Sequence, residues 1–139
     1  MKFKRVAPSS FIVRFERGDE IVQGLLGFAK KAKLKSAWIS GLGGLATATI
    51  GFYNVKRKTY RKKTRKNMEL TALTGNLCRV KNNYALHAHA TLSDRSCKAF
   101  GGHLFKGIVS ATCEVFITEI RRIERKMDLK IGLNLMRLK

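Results

Sequence analysis

All three histidines of this 139-residue chain fall within seventeen positions, at His87, His89 and His103. In an extended strand, residues two apart point to the same face, so His87 and His89 aim both imidazoles at one point in space. The polar segment Ser93-Asp94-Arg95-Ser96 supplies turn formers able to reverse the chain. Gly101-Gly102-His103-Leu104 then returns as a neighbouring strand and brings the third ring alongside the first two. Three neutral imidazoles gathered this way form a divalent-metal site, and nitrogen ligands at about 2.0–2.1 Å suit zinc. A fourth position is left for water or an exogenous group, as in catalytic zinc sites. Glu69, Glu114, Asp94 and Tyr84 are the candidates for a general acid or base. Glu69 and Glu114 could equally accept a hydrogen bond from an imidazole or pair with a lysine.

The second chemistry-bearing feature is charge. Twenty-nine Lys and Arg against nine Asp and Glu leave +20. A folded monomer of this mass has about 7,000 Å² of accessible surface, hence roughly one net positive charge per 350 Å². Self-repulsion of that size is relieved when a polyanion lies on the surface. The run from Lys56 to Lys66 has eight cations in eleven positions, with Tyr60 among them to stack on a base or ribose. Lys56, Arg57, Lys58, Tyr60, Arg61, Lys62, Lys63, Arg65 and Lys66 are therefore the expected contacts to DNA or another nucleic acid, made through basic loops to phosphates and without sequence preference. Arg121, Arg122, Arg125 and Lys126 form a second cluster able to extend that surface.

The elements that must position these groups are mostly strands. Residues 11 to 15 read as a first strand. Asp19 is the expected N-cap of the one clear helix, with Ile21, Leu25, Phe28, Ala29 and Ala32 at helical spacing and Lys30, Lys31 and Lys33 at the end where the dipole favours cations. Gly24 and Gly27 within it suggest close approach of the sheet. Strands are expected over 37–40, 45–55, 67–78, 84–92, 100–108 and 111–121, separated by glycine, asparagine or charged turns. Met127, Leu129, Ile131, Leu133 and Leu135 alternate with polar or small residues, which implies one last strand with a wet face.

Length and 45% hydrophobic content fit one globular domain over residues 1–139. Lys2, Lys4 and Arg5 are followed by Pro8-Ser9-Ser10 and not by an apolar core, so no signal peptide is expected. Residues 36 to 55 are uncharged, yet their glycines and hydroxyl residues fit strands better than a membrane span. Cys78, Cys97 and Cys113 are odd in number and lack a C-x-x-C pair, which points to free thiols in a reducing cytoplasm.

The order H-x-H, then G-G-H-L, then a Glu-led strand, in LHAHATLSDRSCKAFGGHLFKGIVSATCEVFITEI, resembles the central block of the PPC (plants and prokaryotes conserved) domain. Met68 to Asn76 is similar to that family's E-L-x-x-L-x-G-N strand, and Ala37 to Gly43 to its strand entering a glycine-rich turn. The resemblance covers roughly residues 10 to 138. It implies an α+β domain, mostly antiparallel sheet with one main helix packed on it, which assembles as a trimer and in some prokaryotic members holds metal on the three histidines. Cys97 departs from the pattern, since the family usually has a turn glycine there. The AT-hook of plant members, built around Arg-Gly-Arg-Pro, is not found in this sequence, whose only proline is Pro8. DNA binding must therefore rest on this chain's own charge. The resulting expectation is a cytoplasmic, homotrimeric nucleic-acid-binding protein of the stand-alone prokaryotic type, with zinc on His87, His89 and His103 and no membrane association. The alternative is a metal-dependent enzyme acting on a small anionic substrate.

Overall fold

Alternation of apolar and polar residues, sustained across several glycines, makes most of this chain strand. The computed structural model describes residues 1–138. Its elements are β1 (Lys2–Ala7), β2 (Ser10–Glu16), α1 (Ile21–Lys31), β3 (Ser36–Asn54), β4 (Thr59–Val80), β5 (Asn83–Ser93), β6 (Ala99–Ile120), β7 (Arg125–Asp128) and β8 (Leu133–Met136). The first six strands form one antiparallel sheet in the order β1-β2-β6-β3-β4-β5, and β7 with β8 makes a separate hairpin. The far edge strand β5 pairs back onto β6, so β6, β3, β4 and β5 close into a ring.

Inward-facing residues of that ring build the core: Ile39, Leu45 and Ile50 from β3, Leu70, Leu73 and Leu77 from β4, Ala88, Ala90 and Leu92 from β5, and Leu104, Val109, Val115 and Ile117 from β6. Each large aliphatic side chain buried here contributes about 1.5–3 kcal/mol. The helix adds Ile21, Leu25, Phe28 and Ala29 from one face. At Gly24 a Cβ would collide with the Phe15 ring, so the helix and sheet meet there, whereas Gly27 faces open space.

Several boundaries differ from the sequence expectation. The helix N-cap is Glu20, whose carboxylate accepts from the Val22 and Gln23 amides. Asp19 instead accepts from the Glu16 amide and pairs with the chain's amino terminus. Strands expected over 37–40 and 45–55 are the single strand β3, because the intervening Gly41, Gly43 and Gly44 are absorbed as register shifts and not as turns, and those expected over 100–108 and 111–121 are the single strand β6, which runs through Val109 and Ser110 with a register shift against β3. The edge strand β1 is an addition, fully exposed and rich in cations, as edges that resist unwanted pairing are. The expected last strand is a hairpin: Asp128 accepts from the Lys130 and Ile131 amides, and Gly132 takes φ +80°, which reverses the chain between β7 and β8. Of the basic run, Lys56, Arg57 and Lys58 do lie in a turn, but Arg61 to Lys66 extend along β4 and are not a loop.

The turn between β5 and β6 is closed by Asp94, whose Oδ1 accepts from the Ser96 amide and hydroxyl and from the Lys98 amide. Cys97 completes it at φ +61°, in the left-handed region that disfavours any residue with a Cβ. The cysteine at this expected glycine position is therefore strained. Cys97→Gly should raise stability by about 0.5–1 kcal/mol in chemical denaturation, the relief of strain exceeding the entropy glycine loses. Equal or lower stability would show that the turn relaxes around cysteine.

Candidate metal centre and its basic surround

The ring closure sets the histidines. On β5, His87 and His89 flank the buried Ala88 and point away from the core, and His89 lies directly opposite His103 of β6. The three ring centroids stand 5.4–5.6 Å apart. One nitrogen from each ring lies within 4.8 Å of the others, as a group able to share a cation requires. Two glycines allow the strands to approach closely at this point. A Cβ at Gly75 would strike the His87 carbonyl oxygen, and one at Gly102 would crowd the backbone of Gly51.

Half-buried His87 and His103 are held below the ordinary imidazole range. For His103 burial is the largest cause, followed by the charges of His87, His89 and Lys62, and the pKa falls to about 4. For His87 burial again leads, followed by Arg125 and His89. Both rings are thus neutral near pH 7, the form that ligates metal. The Nδ1 of His103 is buried with no hydrogen-bond partner, a deficit of about 1–3 kcal/mol that coordination would relieve. The donor set is soft enough for zinc, cobalt or copper and lacks the oxygens that magnesium or calcium prefer. The residues present fit a divalent transition metal on three imidazoles.

A 610 Å³ cavity touches all three histidines and is walled by Phe52, Tyr53 and Tyr60. A second, of 270 Å³, lies against His87 and His103 and is bounded by Arg125 and the β7–β8 hairpin. No carboxylate lines either one among the described residues. Glu69 and Asp94 border a different cavity, the Tyr84 hydroxyl donates to the Leu34 carbonyl at 2.5 Å, and Glu114 sits in register with Arg14 of β2. None of the four sequence candidates for acid–base work lines the histidine cavities.

Basic residues do reach the site. Successive β4 side chains alternate faces, so Tyr60 and Lys62 share the histidine face while Arg61, Lys63 and Arg65 take the other. The Tyr60 ring centroid lies 5.2 Å from that of His103 and 4.8 Å from that of Phe105. The Lys62 ammonium sits 4.1 Å over the Phe105 ring, itself 4.7 Å from His103. On the far side Arg65 stacks over Phe100 at 3.6 Å.

Sequence places Arg125 in a phosphate-contacting cluster, and the structure sends it elsewhere. Its Nη2 donates to Asn76 Oδ1 at 2.9 Å and to His87 Nδ1 at 3.2 Å, and its Nη1 donates to the Asn134 carbonyl at 2.8 Å. Arg122, from the same cluster, pairs with Glu124. The hairpin carrying Arg125 is tied down at its turn, where Tyr53 donates to the Ile131 carbonyl and Lys58 to the Leu129 carbonyl, both at 2.7 Å. Asn76 carries a sequence signal, being a polar side chain in an otherwise apolar stretch of β4. For Arg125 the signal is ambiguous, since one cation among four does not announce which turns inward.

The chain is 31% identical to a proposed DNA-binding protein from Ralstonia eutropha JMP134, with 99% of this chain and 96% of that one covered at a TM-score of 0.93. It is 29% identical to a metal-containing protein from Archaeoglobus fulgidus, covering 99% of each at 0.87. A plant- and prokaryote-conserved (PPC) protein from Pyrococcus horikoshii is 30% identical, with 99% of this chain and 94% of that one covered, also at 0.87. No curated protein matches. The sequence profile of the Plants and Prokaryotes Conserved (PCC) domain matches residues 4–121, which ends before the β7–β8 hairpin and short of residue 138. On the strength of that match, spanning both histidine strands and the basic run, the chain belongs to the Plants and Prokaryotes Conserved domain family.

Proposed function

We propose that this protein is a cytoplasmic, homotrimeric nucleic-acid-binding protein that contacts phosphates through β4 and the turn before it, without sequence preference, and holds zinc on His87, His89 and His103. One observation carries the nucleic-acid assignment: among the described residues, none of the eight cations between Lys56 and Lys66 is in an ion pair with a carboxylate. A solvated face on an ordinary protein intersperses both signs; this one leaves its charge free for an external polyanion. The relatives from Ralstonia and Archaeoglobus support the two halves of the proposal, as a proposed DNA-binding protein and a metal-containing one. No helix among the described residues is long and apolar enough to cross a membrane.

Two features support assembly. The protomer exposes 9086 Å², well above the roughly 7,000 Å² of a monomer this size. Trp38 and Leu42 of β3 and Phe116 of β6, each about half exposed, alternate onto one face of paired strands and make an apolar stripe of the kind another copy covers. An enzyme acting on a small anionic substrate would need an acid or base at the histidines, and the carboxylates that could serve lie elsewhere.

Changing Lys62, Lys63, Arg65 and Lys66 together to alanine should flatten the salt dependence of duplex binding, by about 0.9 in the logarithmic slope for each phosphate no longer neutralised. An unchanged slope would remove β4 from the interface. Plasma mass spectrometry on untagged protein should find near one zinc per chain, absent from His87→Ala; a metal-free parent would overturn the zinc assignment. In the metal-free protein, His87 and His103 have folded pKa values below the unfolded 6.5, so the unfolded chain takes up protons first as pH falls. Stability is full above 6.5 and declines toward about 4, and thermal melts across that window should show a shallower decline for His103→Asn. Identical pH profiles would show that His103 is not held neutral. Trp38→Glu should convert the assembly to the 15.7 kDa protomer in light scattering, whereas an unchanged mass would place the interface elsewhere.

A further inference from the structure

We propose that the open coordination position of the three-histidine centre binds a phosphate oxyanion, held jointly by the metal, Arg125 and Lys62. This rests on the metal binding proposed above and names what completes the site.

Hydrogen-bond roles conflict at Arg125 once a metal is bound. A guanidinium donates and never accepts, so Arg125 Nη2 at 3.2 Å needs the lone pair of His87 Nδ1. A metal on Nδ1 takes that lone pair. A metal on Nε2 forces the ring proton onto Nδ1, where it faces an N–H. In either tautomer, ligation by His87 strips one Arg125 N–H of its imidazole acceptor. The rest of the guanidinium stays anchored by Asn76 Oδ1 and the Asn134 carbonyl, so the group remains beside the centre with a donor to fill. Arg125 Nε is already without a partner. A buried charged donor left unmatched is costly, and a ligand oxygen is the remedy.

Charge leads to the same ligand. Three neutral imidazoles cancel none of a divalent ion's charge. Arg125 adds a cation on one side and Lys62 another on the Tyr60 face, while no carboxylate among the described residues lines either adjoining cavity. A centre so surrounded favours an anion over water in the fourth position. Phosphate is the anion that matches the rest of the molecule: the exposed Lys66 shares the face of β4 that carries Lys62 and Tyr60 beside the histidines, so the surface proposed to follow a phosphate chain runs into the site. A guanidinium edge beside a metal is suited to the several oxygens of one phosphoryl group.

The probe is the cobalt-substituted protein in chloride and organic-sulfonate buffer, whose visible bands report the fourth ligand without any assay of activity. Inorganic phosphate, a 5′-phosphorylated oligonucleotide and its 5′-hydroxyl counterpart are titrated separately, with acetate as the control. A saturable band shift with a phosphate-bearing probe, weakened about tenfold or more in both Arg125→Gln and Lys62→Gln, is the expected result. A response to inorganic phosphate identifies a free phosphate site, one confined to the 5′-phosphorylated strand identifies a nucleic-acid terminus, and an equal response to both strands identifies internal phosphodiesters. An equal response to acetate would overturn the phosphate assignment, and so would a cobalt-loaded protein that responds to nothing, or variants that respond like the parent. Failure to bind cobalt at all would instead bring down the metal reading, and this one with it, while leaving duplex binding by β4 standing.

Discussion

Everything of interest in this molecule depends on the sheet closing on itself through the pairing of β5 with β6. His89 and His103 are opposite one another only because of that pairing, and His87 joins them only because strand geometry repeats every two residues. Closure of a four-strand ring demands strong curvature. The long strands β3, β4 and β6 achieve it with register shifts near glycines, and Gly75 and Gly102 let backbones pass where a side chain would hold them apart. The apolar filling of the ring supplies the free energy that holds this curvature, so the three histidines stand on a rigid part of the fold. That is the arrangement in which ligand spacing can be held to fractions of an ångström.

Against this rigid base is set a solvated excess of positive charge. Most proteins distribute lysines and carboxylates together, and exposed pairs contribute little either way. Here five of the nine carboxylates are occupied locally: Glu16 and Asp19 at the amino terminus, Glu20 in capping the helix, Asp94 and Asp128 in closing turns. None of these is left to balance β4. The segment from Arg61 to Lys66 of β4 is left without a carboxylate partner among the described residues.

The histidine cluster is legible from sequence because period two is the most dependable pattern a strand imposes, and because Ser93 to Ser96 offers a turn between the two histidine segments. Ring closure is not legible, since nothing in a one-dimensional pattern distinguishes a strand paired on one edge from one paired on both. Glycines at 41, 43 and 44 read as a break because in isolation they usually are; inside long ladders, hydrogen bonds to two neighbours outweigh the local preference for a turn. The helix starts one residue later than expected because Asp19 and Glu20 are both carboxylates in a position to cap, and the Gly107 amide, which also donates to Glu20, decides between them. The final hairpin hides in the sequence although Asp128 and Gly132 are a turn signal, because the flanking alternation continues in phase across them.

Arg125 shows what kind of information composition lacks. In the sequence the basic residues form one population, the electrostatic partner of a polyanion. The fold divides them by depth. Lys62, Lys63 and Lys66 remain exposed, Arg65 lies half buried on the Phe100 ring, and Arg125 is drawn in until its guanidinium reaches an imidazole. Each step inward lowers the surrounding dielectric and raises the cost of leaving the cation unmatched. A charge gradient of that form is weakest where it meets solvent and most demanding at the histidines. The basic run and the histidine cluster, separate features of the sequence, therefore meet in the fold, where Tyr60 and Lys62 share the histidine face of β4 and Arg125 approaches His87 from the hairpin.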